Sequence, residues 1–481
     1  MQPRNCGGGD AAEVINELRL GRGDVLALRG GFNEGRADLE AALAGARATG
    51  QQRVEYDALE ILGRLSVYME GQHEQGLSFW RQALDVARSL NDGGAQVKVL
   101  NRLAADMVGD LNFNGALTLA DEALAIATDA ADERVMAMAL DARKLVAAYL
   151  GDFDALASAV ATLEDILRRD NDLWLLAWVL AESSIEPAAR GRWQEAIDLL
   201  HEAITAKRRM VDGADESLLV AMVASLERTR GAYQPALDAG TEAAAIATAQ
   251  DHAWGIAWSN LSLGATLLDL HDPPAAVGHL TIALAAAERA ASRSLEMRCS
   301  ALLAWASCLE GDTSQADLHL RRAEALLSTV RAPEGAAFLY GSDGYLAVAR
   351  VHLARQETDE ASAVLLPLLA AAEHARWGEP WAGALLLIGR VEMARGDDAR
   401  AMTSIDQALE VATSNHLTNV AAEATIALAH LHARAGDHDG AQRLSAEARS
   451  LIASLSAGLA STEATDRFVQ GSVAGLPELG R

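Results

Sequence analysis

Gly191-Arg192-Trp193-Gln194-Glu195-Ala196-Ile197 sets the pattern for the whole chain. A glycine is followed by any residue, an aromatic, two further residues, a small residue and an aliphatic. The next copy, Gly231-Ala232-Tyr233-Gln234-Pro235-Ala236-Leu237, starts 40 residues on. Further copies are Gly151-Asp152-Phe153, Gly311-Asp312-Thr313 with Ala316, Gly396-Asp397-Asp398 with Ala401, and Gly436-Asp437-His438 with Ala441. Degenerate copies start at Gly30, Gly71, Leu111, His271 and Gln356. Of the ten intervals between starts, eight are 40 residues, one is 41 and one is 45. A step held this closely over most of a chain marks a repeat architecture. The long interval assigns five extra residues to a loop around Arg331-Ala332-Pro333-Glu334-Gly335.

Each repeat reads as two helices. In its second half, Ala196, Leu200, Ala203 and Ile204 lie at i, i+4, i+7 and i+8, which lays one apolar stripe along a helix. Ala276, Leu280, Ala283 and Leu284 keep that spacing, as do Ala401, Ile405, Ala408 and Leu409. The first half is helical too, as over 253–270 or 382–394. The Gly or Asp between the halves ends one helix and caps the next. Seven residues before the starts stand small side chains, among them Ala224, Gly264, Ala304 and Gly389. Glycine inside a helix costs roughly 0.5–1 kcal/mol relative to alanine. Gly264 and Gly389 therefore imply a neighbouring helix too close for a larger residue. Arg64 and Lys144 break the rule and mark early repeats that pack differently.

Composition agrees. Of 481 residues, 50% are hydrophobic but only 4% are aromatic, so Ala and Leu supply a core suited to helices. A net charge of −26 argues against binding a nucleic-acid polyanion. The compact basic cluster, Lys207-Arg208-Arg209, reads as a solvated helix face. Three cysteines, Cys6, Cys299 and Cys308, offer no disulfide framework and no metal-binding pair, which fits a cytoplasmic protein. The N-terminal residues lack the apolar segment of a signal peptide, and the apolar run 173–181 is too short to span a bilayer. The expected architecture is all-α: an α-α superhelical solenoid of about eleven antiparallel helix pairs. Residues 1–11 form an N-terminal tail, 12–452 the array, and 453–481 a C-terminal tail. Each repeat is expected to touch only its neighbours, leaving one long concave face.

The small residue in the first helix, the Gly-x-aromatic turn and paired small residues such as Ala196/Ala203, Ala236/Ala243 and Ala316/Ala323 resemble the tetratricopeptide repeat superfamily. The resemblance covers roughly 12–452, with a step longer than the usual 34 residues. Long arrays of this step are similar to the sensor arms of large bacterial regulators, including signal-transduction ATPases with a LuxR-type DNA-binding end. The tail Thr465-Asp466-Arg467-Phe468-Val469 is faintly similar to tails that follow such arms. No nucleotide-binding domain and no helix-turn-helix accompany it here.

Catalytic motifs are absent. No glycine precedes a lysine, which excludes a Walker-type phosphate loop, and neither GxSxG nor HExxH occurs. Gly341-Ser342-Asp343-Gly344 reads as a loop. His430 and His432 point about 200° apart on a helix and cannot chelate together, while Asp437 and Asp397-Asp398 sit where helices need caps. The expectation is a protein without enzymatic activity, cofactor or metal.

Binding is the remaining chemistry. Trp174 and Trp178 recur in register at Trp254 and Trp258, and Trp377 and Trp381 form a third pair. The tetratricopeptide resemblance implies that first helices line the groove. It makes Trp178, Trp258, Arg298, Trp305, Arg350, Arg390 and His430 the candidate binding residues. Trp and Arg dominate binding hot spots. Two bland readings stay open: the tryptophans fill space between helices, and the arginines pair with neighbouring acids. The function expected is a regulatory sensor or interaction arm linked to signalling or transcription. It would recognise a protein, a peptide or a small effector, and touch neither DNA nor membrane. The alternative is a general assembly scaffold or co-chaperone adaptor, which calls for basic clamp residues clustered in adjoining repeats.

Overall fold

The computed structural model describes residues 9–28, 32–69, 72–170, 172–210 and 215–477. The fold is all-α, with no strand among the described residues. Among the described residues, helices follow in eleven consecutive pairs: Gly9–Leu28 with Phe32–Thr49, Gln52–Arg64 with His73–Ser89, Gly93–Gly109 with Phe113–Ala130, and Glu133–Leu150 with Phe153–Asp170. The fifth pair has a broken first helix, Leu173–Ser183 and Ile185–Ala189, before Trp193–Arg208. Glu216–Thr229 then pairs with Tyr233–Ala249, Ala253–Asp269 with Pro273–Arg289, and Arg293–Glu310 with Thr313–Leu327. Ser342–Ala354 with Thr358–Ala375, Gly378–Arg395 with Asp398–Ser414, and Thr418–Arg434 with His438–Ser456 complete the array. One more helix, Thr462–Ala474, lies within the expected C-terminal tail.

The repeat step is a backbone feature. Leu111, Gly151, Gly191, Gly231, His271, Gly311, Gln356, Gly396 and Gly436 all have positive φ, between 56° and 83°. Left-handed backbone stops the first helix at these nine positions, and glycine adopts it without steric cost. Leu111, His271 and Gln356 show that the geometry persists where the glycine does not. Gly30 and Gly71 lie outside the described residues. Asp312, Asp397 and Asp437 cap the helices that follow, each accepting a hydrogen bond from the backbone N–H three residues on. Small residues sit at close approaches. A Cβ at Gly264 would lie 2.5 Å from Leu280 Cγ, and one at Gly389 would overlap Ile405. Arg64 precedes a π-helical turn, Leu65–Met69. Lys144 is fully buried and pairs with Glu182 at 2.5 Å. The Lys207-Arg208 cluster is neutralised by Asp215, Glu216 and Glu242.

The chain divides into two compact units. The first holds the residues up to Gly109, Asn114–Arg143 and Arg289–Ala291. Its core gathers Leu59, Leu62, Trp80, Val97 and Leu100, all fully buried.

The second unit holds Asp110–Phe113, Lys144–Glu288 and Ser292–Arg481. Here the expectation that repeats touch only their neighbours fails. Arg331 N donates to Leu111 O at 2.9 Å. Arg190 Nη1 donates to Ala375 O at 3.0 Å and to Arg376 O at 2.6 Å. Trp193 Nε1 donates to Asn415 O at 3.0 Å, across 222 residues. Phe153 packs on Trp377 with ring centroids 5.5 Å apart. Phe468 of the last helix fits against Tyr233 and His271, at 5.5 and 5.9 Å, while Arg467 pairs with Asp272. The helix pairs of this unit therefore come full circle, and each turn bonds to the one before it.

Candidate functional site

Closure turns the concave face of the second unit into a lumen. First helices of six successive pairs contribute Ser184, Met222, Leu261, Arg298, Asp343 and Glu379 to the wall of one cavity of about 90 Å³. The sequence reading of an open groove is corrected to this extent. Part of the cause is the long repeat interval. Its extra residues belong to the connection between Thr313–Leu327 and Ser342–Ala354, which turns inward. Phe338 and Leu339 are 2% and 1% exposed. The Tyr340 ring stacks on Tyr149 at 4.6 Å and meets Trp258 edge-on at 5.8 Å.

The cavity wall and the helices around it are charged, and most of these ions are paired. Arg298 sends Nε and Nη2 to the two carboxylate oxygens of Asp343, at 2.8 and 2.9 Å. The same guanidinium lies 6.0 Å from the Trp258 ring centroid and 5.9 Å from that of Tyr340. Arg228 pairs with Asp269 at 2.9 Å. Glu423 takes Arg390 at 2.8 Å and Arg350 at 3.4 Å. Ser342 Oγ donates to Glu379 at 3.0 Å.

The pairings set the acidities. Burial opposes the charges of Asp343 and Glu423, yet Arg298 holds the first, and Arg390 with Arg350 the second, below the ordinary carboxylate range. Burial prevails at Asp269 and Glu379, raising both despite the opposing pull of Arg228.

The candidate residues divide. Trp258 and Arg298 stand together, Trp258 buried behind Arg298, which lines the cavity. Arg350 and Arg390 meet on Glu423. His430 Nε2 lies 2.7 Å from Gly475 O, so the end of the last helix engages it. Trp178 and Trp305 are half-buried on their first helices and do not line the cavity. Sequence reasoning missed Arg228, Asp269, Tyr340, Asp343, Glu379 and Glu423. A signal existed for two of them: Asp343 and Glu423 occupy the helical register of Trp258 and Arg298, one and three repeats beyond Arg298.

The first unit has its own concavity, about 470 Å³, walled by residues that include Asp24, Glu60, Arg64 and Lys98. Lys98 pairs with Glu60 at 3.2 Å and Arg64 with Asp24 at 2.7 Å. Among the described residues, no group of three or more His, Cys, Asp or Glu stands in metal-binding proximity. Among them, too, no helix is long and apolar enough to cross a membrane.

These features define a tetratricopeptide-like α-solenoid. No family profile and no curated protein matches the chain by sequence. Solved structures match by fold. One is a Rap protein complexed with competence and sporulation factor, at a TM-score of 0.54 and 13% identity, over 76% of this chain and 99% of that one. The Rap conjugation gene regulator of plasmid pLS20, in complex with the Phr* peptide, matches at 0.48 and 14%, over 76% and 98%. A signal-transduction ATPase with a tetratricopeptide repeat sensor from Pyrococcus horikoshii matches at 0.41 and 16%, over 80% of this chain and 54% of its own. The chain thus spans about half of that ATPase. At these identities the likeness concerns the fold.

Proposed function

We propose that the chain is a non-catalytic recognition arm that binds a peptide, a partner segment or a small effector through the lumen of its second unit, in a regulatory role. The lumen's lining carries this reading. Arginines and carboxylates from several first helices converge there, where a purely structural interior would be cheaper with apolar residues. Buried ion pairs contribute little net stability, so their concentration on the inner face points to recognition. The shared fold with a Rap protein solved with competence and sporulation factor supports the same reading. A co-chaperone adaptor is less well supported. Its basic clamp calls for available arginines, and Arg298, Arg350 and Arg390 are already paired.

The test is site-specific photo-crosslinking in source-cell extract, with the reactive side chain at lumen-lining Ser225 or at outward-facing Leu318, which is 53% exposed. Specific adducts at position 225 but not at 318 are expected. Adducts confined to 318 overturn the reading.

A further inference from the structure

The cavity lining carries two guanidiniums, Arg228 and Arg298, and two carboxylates, Asp343 and Glu379. Arg298 is held by Asp343 and Arg228 by Asp269. Glu379 opens on the same cavity with Ser342 Oγ as its hydrogen-bond donor and, among the described residues, no Lys or Arg within ion-pair distance. One carboxylate is therefore left without a paired cation. Two indoles, Trp193 and Trp377, line the cavity with it. Their remaining contacts hold them in place: Trp193 through its N–H to Asn415 O, Trp377 through packing on Phe153. A carboxylate sharing a cavity with two indoles is chemistry suited to an organic cation, because the ring quadrupole attracts positive charge and Trp does so best. Size agrees. A water needs roughly 10–15 Å³ of such space, so about 90 Å³ admits a group of several heavy atoms.

We propose that this cavity binds a small organic monocation, a primary ammonium or guanidinium head, with Glu379 as its counter-ion and Trp193 and Trp377 as its walls. The proposal deepens the reading of the lumen as the recognition face. Burial raises the Glu379 carboxyl, and a bound cation would offset that penalty. An anion would meet Glu379 directly and is disfavoured.

Isothermal titration of the full chain with n-butylamine, n-butylguanidine, n-butanol and butyrate tests the charge preference. Butylamine or butylguanidine should bind at least about tenfold more tightly than butanol, a difference of about 1.4 kcal/mol, and butyrate should not bind. Glu379→Gln should erase the preference. Nα-acetyl-lysine N-methylamide distinguishes the source. Tighter binding than butylamine indicates an ammonium carried on a peptide, and equal or weaker binding indicates a free amine. Equal binding of butylamine and butanol to the unaltered protein overturns the proposal, whether or not the variant folds. The two ideas fail separately. Cation binding without crosslinks at position 225 removes the recognition role alone. Crosslinks without cation preference remove the proposed ligand class alone.

Discussion

The indole N–H of Trp193 donates to the main-chain carbonyl of Asn415 at 3.0 Å, joining residues 222 positions apart. At about 40 residues per repeat, that separation is roughly five and a half helix pairs, one full circuit of the second unit. Gly191 makes the approach possible. Its φ is 72°, and a Cβ there would lie 2.6 Å from Asn415 O. Trp193→Phe keeps most of the packing and removes the donor, so it should cost about 1 kcal/mol, the usual net value of one hydrogen bond. Urea denaturation measures the cost. Hydrogen exchange should also quicken around Asn415 and stay unchanged in the first unit.

Arg298 and Asp343 form a bidentate pair whose side chains are 10% and 12% exposed. Arg298→Ala alone strands the carboxylate and should cost about 3–5 kcal/mol. The double change Arg298→Met with Asp343→Leu should fall near neutral, since an apolar pair of similar volume avoids desolvating two ions. A double-mutant cycle by chemical denaturation decides the matter. If the double variant is as damaged as the single one, the pair is not an isolated unit.

Two glycines should respond with opposite signs. Gly278 lies inside the helix Pro273–Arg289 with open space where a methyl would go, so Gly278→Ala should stabilise by about 0.5–1 kcal/mol. At Gly389 the same change drives a methyl into Ile405 and should destabilise by about 1–3 kcal/mol. Thermal unfolding of both variants checks the sign as well as the size.

The carboxylates in and around the lumen pull stability in opposite directions with pH. Asp343 and Glu423 have lowered folded-state values. They favour the fold above the ordinary carboxylate range, and that contribution is lost as pH falls through their folded values. Glu379 and Asp269 are raised, so each favours the protonated fold and works against it once pH climbs through its folded value. Glu379→Gln should therefore raise the melting temperature at neutral pH. The gain should vanish below about pH 4, where an ordinary Glu is itself protonated. A gain that persists at low pH would trace to packing, not to charge.

The repeat was legible because two strong local constraints write it. A first helix must stop in left-handed backbone, which favours Gly151, Gly191 and Gly231, and a close crossing must accommodate Gly264 or Gly389. The paired alternative for the arginines was legible as well, since acids abound. Closure of the second unit was not. Its bonds end on the carbonyls of Leu111, Ala375, Arg376 and Asn415, and every residue type owns a carbonyl. The inward turn of Phe338 and Tyr340 escaped for a related reason: a five-residue excess in spacing shows where chain was added, not the direction it takes.

The last helix, with Phe468 against Tyr233 and His271 and Arg467 on Asp272, changes how this array must assemble. An open stack of repeats grows by zipping, each unit templating the next. Here the final segment has to find a surface laid down some two hundred residues earlier, 195 for the Arg467 pair. Partners so distant in sequence slow folding, and they couple the fate of mid-chain repeats to that of the helix Thr462–Ala474. Nascent second units should stay loosely wound until that late segment emerges and clasps the coil.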